Sequence, residues 1–195
     1  MALPAEKRTC TFADYLTWEE GRVELLEGEA VLLAAPSRIH QRISVELSRQ
    51  LANFLEGKKC QLYTAPFAVR LFEKEGDLPE DVETVVEPDL TVVCDPKKLD
   101  RYGCKGAPEL VLEILSPSSA RRDRLVKFGL YQRAGVGELW LVSPEERTVQ
   151  VFLLEEGILT LREVYGAGDI AKVNTLEGCF IQLDKVFRQN KEVLP

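Results

Sequence analysis

The sequence predicts an α/β domain: a mixed β-sheet flanked by helices, with additional β-strands at the C-terminal end. Three observations carry this expectation. Short apolar runs bounded by turn residues recur along the chain, as strands do. Ile43, Leu47, Leu51 and Phe54 recur at helical spacing, and a second helix is bracketed by Ser118 or Ser119 and by Gly135. The last third, from Glu138 onward, reads as strand after strand. With 195 residues, no repeat and no low-complexity linker, one domain over 1–195 is expected.

The elements follow in order. Thr11 can cap a short helix running to Glu20, with Phe12, Tyr15 and Leu16 as its apolar stripe. Residues 22–35, RVELLEGEAVLLAA, read as two strands folded about Glu27-Gly28. Ser37 can cap the longer helix, and Gly57 ends it. Strands are expected at 60–63, 67–72, 87–94 and 108–115. The second helix runs to about Gln132, where Gly135-Val136-Gly137 stops it. Strands at 138–143, 148–155, 158–165 and 179–183 complete the chain.

Composition narrows the function classes. A hydrophobic fraction of 45% and a charged fraction of 29% describe a soluble globular protein. No stretch has the length of a membrane-spanning helix, and the N-terminus lacks a signal-peptide layout, so a cytoplasmic location is the default. A net charge of −7 argues against a general nucleic-acid coat, but not against a nuclease, whose site depends on its local field. The acidic run 73–87 reads as a solvated loop, and 121-RRDRLVK-127 is basic. The five cysteines lack CxxC spacing and His40 is the only histidine, so reduced, partly buried thiols are expected rather than a zinc site. There is no GxxxxGK[ST] loop for ATP and no GxSxG elbow for a serine hydrolase.

The chemistry-bearing residues begin with Glu113, a carboxylate inside the apolar strand LVLEIL. An ionised carboxylate in a core must be paired, neutralised or bound to a cation. By strand parity Glu113 shares a face with Val111 and Leu115. Asp89 opens another apolar strand after Pro88, and the two acids can meet if their strands are neighbours. Paired carboxylates suit Mg²⁺, which keeps several waters and needs few protein ligands. Asp123, Lys127 and Tyr131, four residues apart, lie along one helix face and can bring Lys127 to the acids. Arg121, Arg122 and Arg124 at the start of that helix suit either solvent or phosphates.

Pro88-Asp89 followed by Glu113 on an apolar strand resembles the PD-(D/E)xK nuclease superfamily. That pattern puts a lysine two residues after the acid, where this chain has Leu115. The wider arrangement is similar to a bacterial family of restriction-endonuclease-like proteins catalogued as a domain of unknown function. Its pattern matches here Glu24 through Glu29, His40, Pro88-Asp89-Leu90, Glu113 through Ser119, Asp123, Lys127 and Tyr131, across a core of about 11–185. The resemblance implies a restriction-endonuclease-like fold and a Mg²⁺- (or Mn²⁺-) dependent endonuclease acting on DNA. Asp89, Glu113 and Glu24 would hold the metal, Lys127 would replace the strand lysine from the helix, and His40 would assist. A homodimer follows by analogy with such nucleases.

The plainer readings stand beside these. Glu113 and Lys127 can form a mere buried ion pair, Asp89 can end a turn, and Asp123 can simply favour the helix macrodipole. His40 can be an ordinary helix histidine, and Tyr131 can serve packing alone. Leu115 favours the competing function: a non-catalytic module derived from a nuclease that binds a protein or nucleic acid without cutting.

Overall fold

A computed structural model of the chain describes residues 9–19, 22–117 and 119–188. The first elements of the described residues are α1 (Phe12–Tyr15), the hairpin β1 (Val23–Leu26) and β2 (Glu29–Leu32), and then α2 (Arg38–Leu55). Next come β3 (Gln61–Thr64), β4 (Ala68–Arg70), β5 (Leu90–Val93), β6 (Leu99–Asp100), β7 (Gly103–Lys105) and β8 (Leu110–Ile114). After β8 follow α3 (Ala120–Arg122), a π-helical turn over Asp123–Lys127 and α4 (Phe128–Ala134). The last described elements are β9 (Glu138–Ser143), β10 (Thr148–Glu155), β11 (Ile158–Gly166), β12 (Ile170–Val173), β13 (Cys179–Gln182) and α5 (Leu183–Val186).

The central sheet has six strands in the order β11-β10-β9-β8-β5-β3. It is mixed: β8 and β9 run parallel, and the other neighbours are antiparallel. Parallel neighbours need a crossover, and here the α3–α4 segment supplies it. That segment packs Leu130 and Tyr131 on the face holding Val111, Leu139 and Leu141. The other face carries Leu90, Leu110, Leu112 and Trp140 and is covered by α2. Ile43, Leu47, Leu51 and Leu55 of α2 are buried there, each contributing about 1.5–3 kcal/mol of transfer free energy. Ser37 caps α2 by accepting the His40 N–H at 3.2 Å.

Several expectations are corrected. The first helix ends by Tyr15, and Glu20 and Ser118 lie outside the described residues. Ser119 makes no side-chain cap; its hydroxyl instead accepts the Ser116 N–H at 3.3 Å. The helical segment runs on to Ala134, and Gly135 stops it with φ 90, a left-handed value that suits glycine. The strand expected at 67–72 is three residues long and joins a separate three-stranded sheet with β6 and β7, which the sequence reading missed along with β12.

The acidic run is more than a loop. It contains a helical turn at Pro79–Asp81, and Val82, Val85 and Val86 are buried. Val85 bridges to Leu25 and Val86 to Val69, so these valines override the surrounding acids. The thiols are corrected too. Gln61 pairs with Val93, which puts Cys60 opposite Cys94, and the two form a disulfide. Strand register, invisible in the sequence spacing, brings them together. Cys10, Cys104 and Cys179 are free. Among the described residues no helix is long and apolar enough to cross a membrane.

Candidate active site

Strand pairing sets the first contact. Leu90 of β5 lies opposite Leu112 of β8 at the end of an antiparallel ladder, and Asp89 and Glu113 are the next residues beyond it. Asp89 is held there: its Oδ2 accepts the Ile114 N–H at 2.8 Å and lies 3.1 Å from His40 Nε2. His40 therefore comes from the first turn of α2 to the sequence-expected acid, while its Nδ1 is buried without a hydrogen-bond partner among the described residues.

The crossover helix supplies the cation. Its π turn, where the Phe128 N–H reaches back to the Asp123 carbonyl, sits in the segment that faces Glu113. Such turns widen a helix locally and often occur at functional sites. Lys127 Nζ lies 2.5 Å from Glu113 Oε1, 2.7 Å from Glu24 Oε1 and 3.9 Å from Asp123 Oδ1. The Tyr131 hydroxyl donates to the same Glu113 oxygen. Tyr131 thus has a polar role that packing alone does not describe.

Glu24 enters from β1, which is buried along its whole length and bridged through Leu25 to Val85. Its Oε1 also accepts the Glu87 N–H at 3.0 Å, whereas its Oε2 is buried with no hydrogen bond among the described residues. Glu87 in turn accepts from Tyr15 at 2.8 Å and from Arg22 Nε at 3.2 Å. Arg22, Tyr15 and Glu87 escaped the sequence reading. The signal for Glu87 was present, since it is a charged residue between Val86 and Pro88 in a run of valines.

Arg22, Glu24, His40, Glu87, Asp89, Glu113, Asp123 and Lys127 line one cavity of about 380 Å³, with Tyr15 and Tyr131 behind its wall. Its wall carries six carboxylates (Glu24, Glu87, Asp89, Glu113, Asp123 and Glu145) and three side-chain cations, Arg22, Arg122 and Lys127. The local field is therefore negative. Burial pushes the Glu113 carboxyl up to about 8, although Lys127 pulls it the other way. Burial also raises Asp123. For Lys127 burial alone would lower the pKa, but Glu113, Glu24 and Asp123 together outweigh it and hold the ammonium charged. Burial and the adjacent Glu113 raise the Tyr131 phenol well above its ordinary value.

The three arginines separate. Arg122 lines the cavity, and its Nη1 is buried without a partner among the described residues. Arg121 is exposed and outside the cavity wall, and Arg124 donates to Gln150 on β10 at 3.0 Å. Leu115 lines the cavity and packs into the apolar layer behind it, so the usual lysine position is filled by core.

Among the described residues no three His, Cys, Asp or Glu side chains form a ready-made cage. Mg²⁺ does not require one: it takes one or two carboxylates and retains water. Hard oxygen donors, the unpartnered Glu24 Oε2 and the excess of negative charge match that chemistry.

Comparison with known proteins identifies the family and the fold. The Uma2 family, described as "Putative restriction endonuclease", matches residues 12–184. "Uncharacterized protein slr1290" of Synechocystis sp. (strain ATCC 27184 / PCC 6803 / Kazusa) is 31% identical over 121 residues, 60% of this chain and 60% of that protein. The match therefore spans less than two thirds of that relative's length. "Uncharacterized protein sll1609" of the same organism is 29% identical over 136 residues, 68% of this chain and 73% of that protein. The crystal structure of "a putative nuclease" from Anabaena variabilis ATCC 29413 superposes with a TM-score of 0.71. It covers 91% of this chain and 97% of its own at 17% identity, which establishes a shared fold.

Proposed function

The chain belongs to the Uma2 family, and on that premise we propose that it is a metal-dependent endonuclease that hydrolyses phosphodiester bonds in DNA. The observation that supports this reading most strongly is the meeting of Asp89, Glu113 and Lys127 at one cavity with an excess of carboxylates.

Asp89 and Glu113, assisted by Glu24, would hold Mg²⁺ or Mn²⁺. When bound, the ion supplies Lewis-acid polarisation of a phosphoryl oxygen and lowers the pKa of water. Lys127 keeps a fixed positive charge beside Glu113, orienting the attacking water and balancing negative charge on the phosphate. The Ile114 N–H and His40 fix Asp89 in one orientation. Arg122, with its unpartnered Nη1 at the cavity, would take a phosphate; Arg121 would reach the flanking backbone, and Arg124 would do so on leaving Gln150. A homodimer would place two such sites for the two strands of a duplex.

A second reading has its own observation. Lys127 already touches both Glu113 and Glu24, as a merely structural ion pair would. The deciding experiment is hydrolysis of single- and double-stranded DNA with Mg²⁺ or Mn²⁺ and with EDTA. Wild type should cut only with metal, and Asp89→Asn, Glu113→Gln and Lys127→Met should not cut. Wild type that cuts no substrate under any of these conditions would leave the binding-module reading standing.

A further inference from the structure

β11 is the open edge of the six-stranded sheet, and its outer side has no strand beside it among the described residues. It is nine residues long, and Ile158, Leu161 and Val164 are exposed along it. Exposed edges of this kind are usually blunted or used.

The ladder between β10 and β11 contains a bulge. Glu163 lies opposite Val151 and Leu161 opposite Phe152, so Arg162 is the extra residue. The bulge reverses the alternation of side chains. Leu161, paired with Phe152, and Val164, paired with Gln150, therefore project on one face of the sheet. Without the bulge they would project on opposite faces.

This local break makes the strand self-complementary. In an antiparallel pair related by a two-fold axis perpendicular to the sheet, residues that face each other must lie on the same face. The register centred between Arg162 and Glu163 meets that condition. It sets Leu161 against Val164, Thr160 against Tyr165 and Leu159 against Gly166 of the other copy. At the centre Arg162 meets Glu163 twice, once on each side of the axis. Arg162 forms no ion pair within its own chain among the described residues, and the Glu163 carboxylate does no more than accept the neighbouring Val164 N–H at 3.1 Å. Both charges are available to a partner.

We propose that the protein dimerises through β11, with two copies joining their sheets edge to edge by the Leu161-Arg162-Glu163-Val164 segment. This rests on the homodimer reading above and adds to it the surface and the register. It is independent of the metal chemistry.

Light scattering and sedimentation across a concentration series test it. Wild type should be dimeric. Arg162→Glu should weaken the dimer at least about tenfold, because the new carboxylate meets Glu163 of the other copy twice. The double variant Arg162→Glu, Glu163→Arg should restore dimerisation, since the swapped charges face each other again. Circular dichroism of each variant should match wild type, because both positions are exposed. A mixture of Leu161→Cys and Val164→Cys chains should cross-link as the heterodimer. Wild type that stays monomeric throughout overturns both the dimer and this interface. A dimer that Arg162→Glu leaves intact, or that the double variant does not restore, overturns the interface alone.

Discussion

Lys127 Nζ lies 2.5 Å from Glu113 Oε1, and the two side chains reach each other from different elements, one from the crossover helix and one from β8. The lysine is almost wholly buried, as is the acid, so each relies on the other for compensation. Removing the cation leaves Glu113 and Glu24 buried without it. Lys127→Met is therefore expected to cost about 3–5 kcal/mol of stability as well as activity. Denaturant unfolding of the metal-free protein checks this, and a loss below about 1 kcal/mol would mean that the acids are neutralised in another way.

Tyr131→Phe removes a single hydroxyl, the one that donates to Glu113. A buried hydrogen bond is worth about 0.5–1.5 kcal/mol, and about 1.5–3 kcal/mol when its partner is charged, so the larger loss is expected above pH about 8, where Glu113 is ionised, and the smaller one below it. The variant should remain folded, with a weaker affinity for Mn²⁺, because Glu113 loses the group that fixes its orientation. Unchanged stability and affinity would return Tyr131 to a packing role.

The pH dependence follows from Glu113. Its ordinary value is 4.5 and burial raises it to about 8. Because the folded-state pKa is above the unfolded one, this group's contribution to metal-free stability is fully present below about 4.5 and is lost as pH rises through about 8. Metal binding has the opposite sense, since it needs the carboxylate and must release the proton. Mn²⁺ affinity should therefore fall as pH drops below about 8, by at most about tenfold per pH unit for one proton. Calorimetric titrations in buffers of different ionisation enthalpy read both the affinity and the proton released. An affinity flat across that range would contradict the role given to Glu113.

Glu138 provides the contrast. It is fully buried, but it is satisfied by the Trp140 indole N–H, the Asn174 and Thr175 backbone N–H groups and the Thr175 hydroxyl. Neutral donors surround it and it forms no ion pair among the described residues, so it is a pin between β9 and the turn after β12. Glu138→Ala should destabilise the fold by about 2–4 kcal/mol by orphaning those donors and should leave metal affinity unchanged. A specific loss of metal binding would show that the two kinds of buried acid were wrongly separated.

The sequence disclosed the elements whose causes are local. Helical spacing marked α2, glycine marked the stop after α4, and an acid in an apolar strand marked Glu113 as needing a partner. The meeting of Asp89 with Glu113 was legible only as a condition, because register decides it and register depends on the whole sheet. The same holds for Cys60 with Cys94. Lys127 could be inferred from helical spacing, whereas Arg22 and Tyr15 could not, since nothing nearby in sequence ties them to Glu87. The acidic run misled because its charges outnumber the three valines that bury it.

Binding of Mn²⁺ to the wild-type protein, compared with Asp89→Asn and Glu113→Gln, tests the central assignment most directly. The expected result is a bound ion in wild type and a loss of at least about 10²-fold in affinity in either variant, with the fold retained. Wild type that binds no ion, or variants that bind it as tightly as wild type, would contradict the assignment of Asp89 and Glu113 as the metal-holding pair.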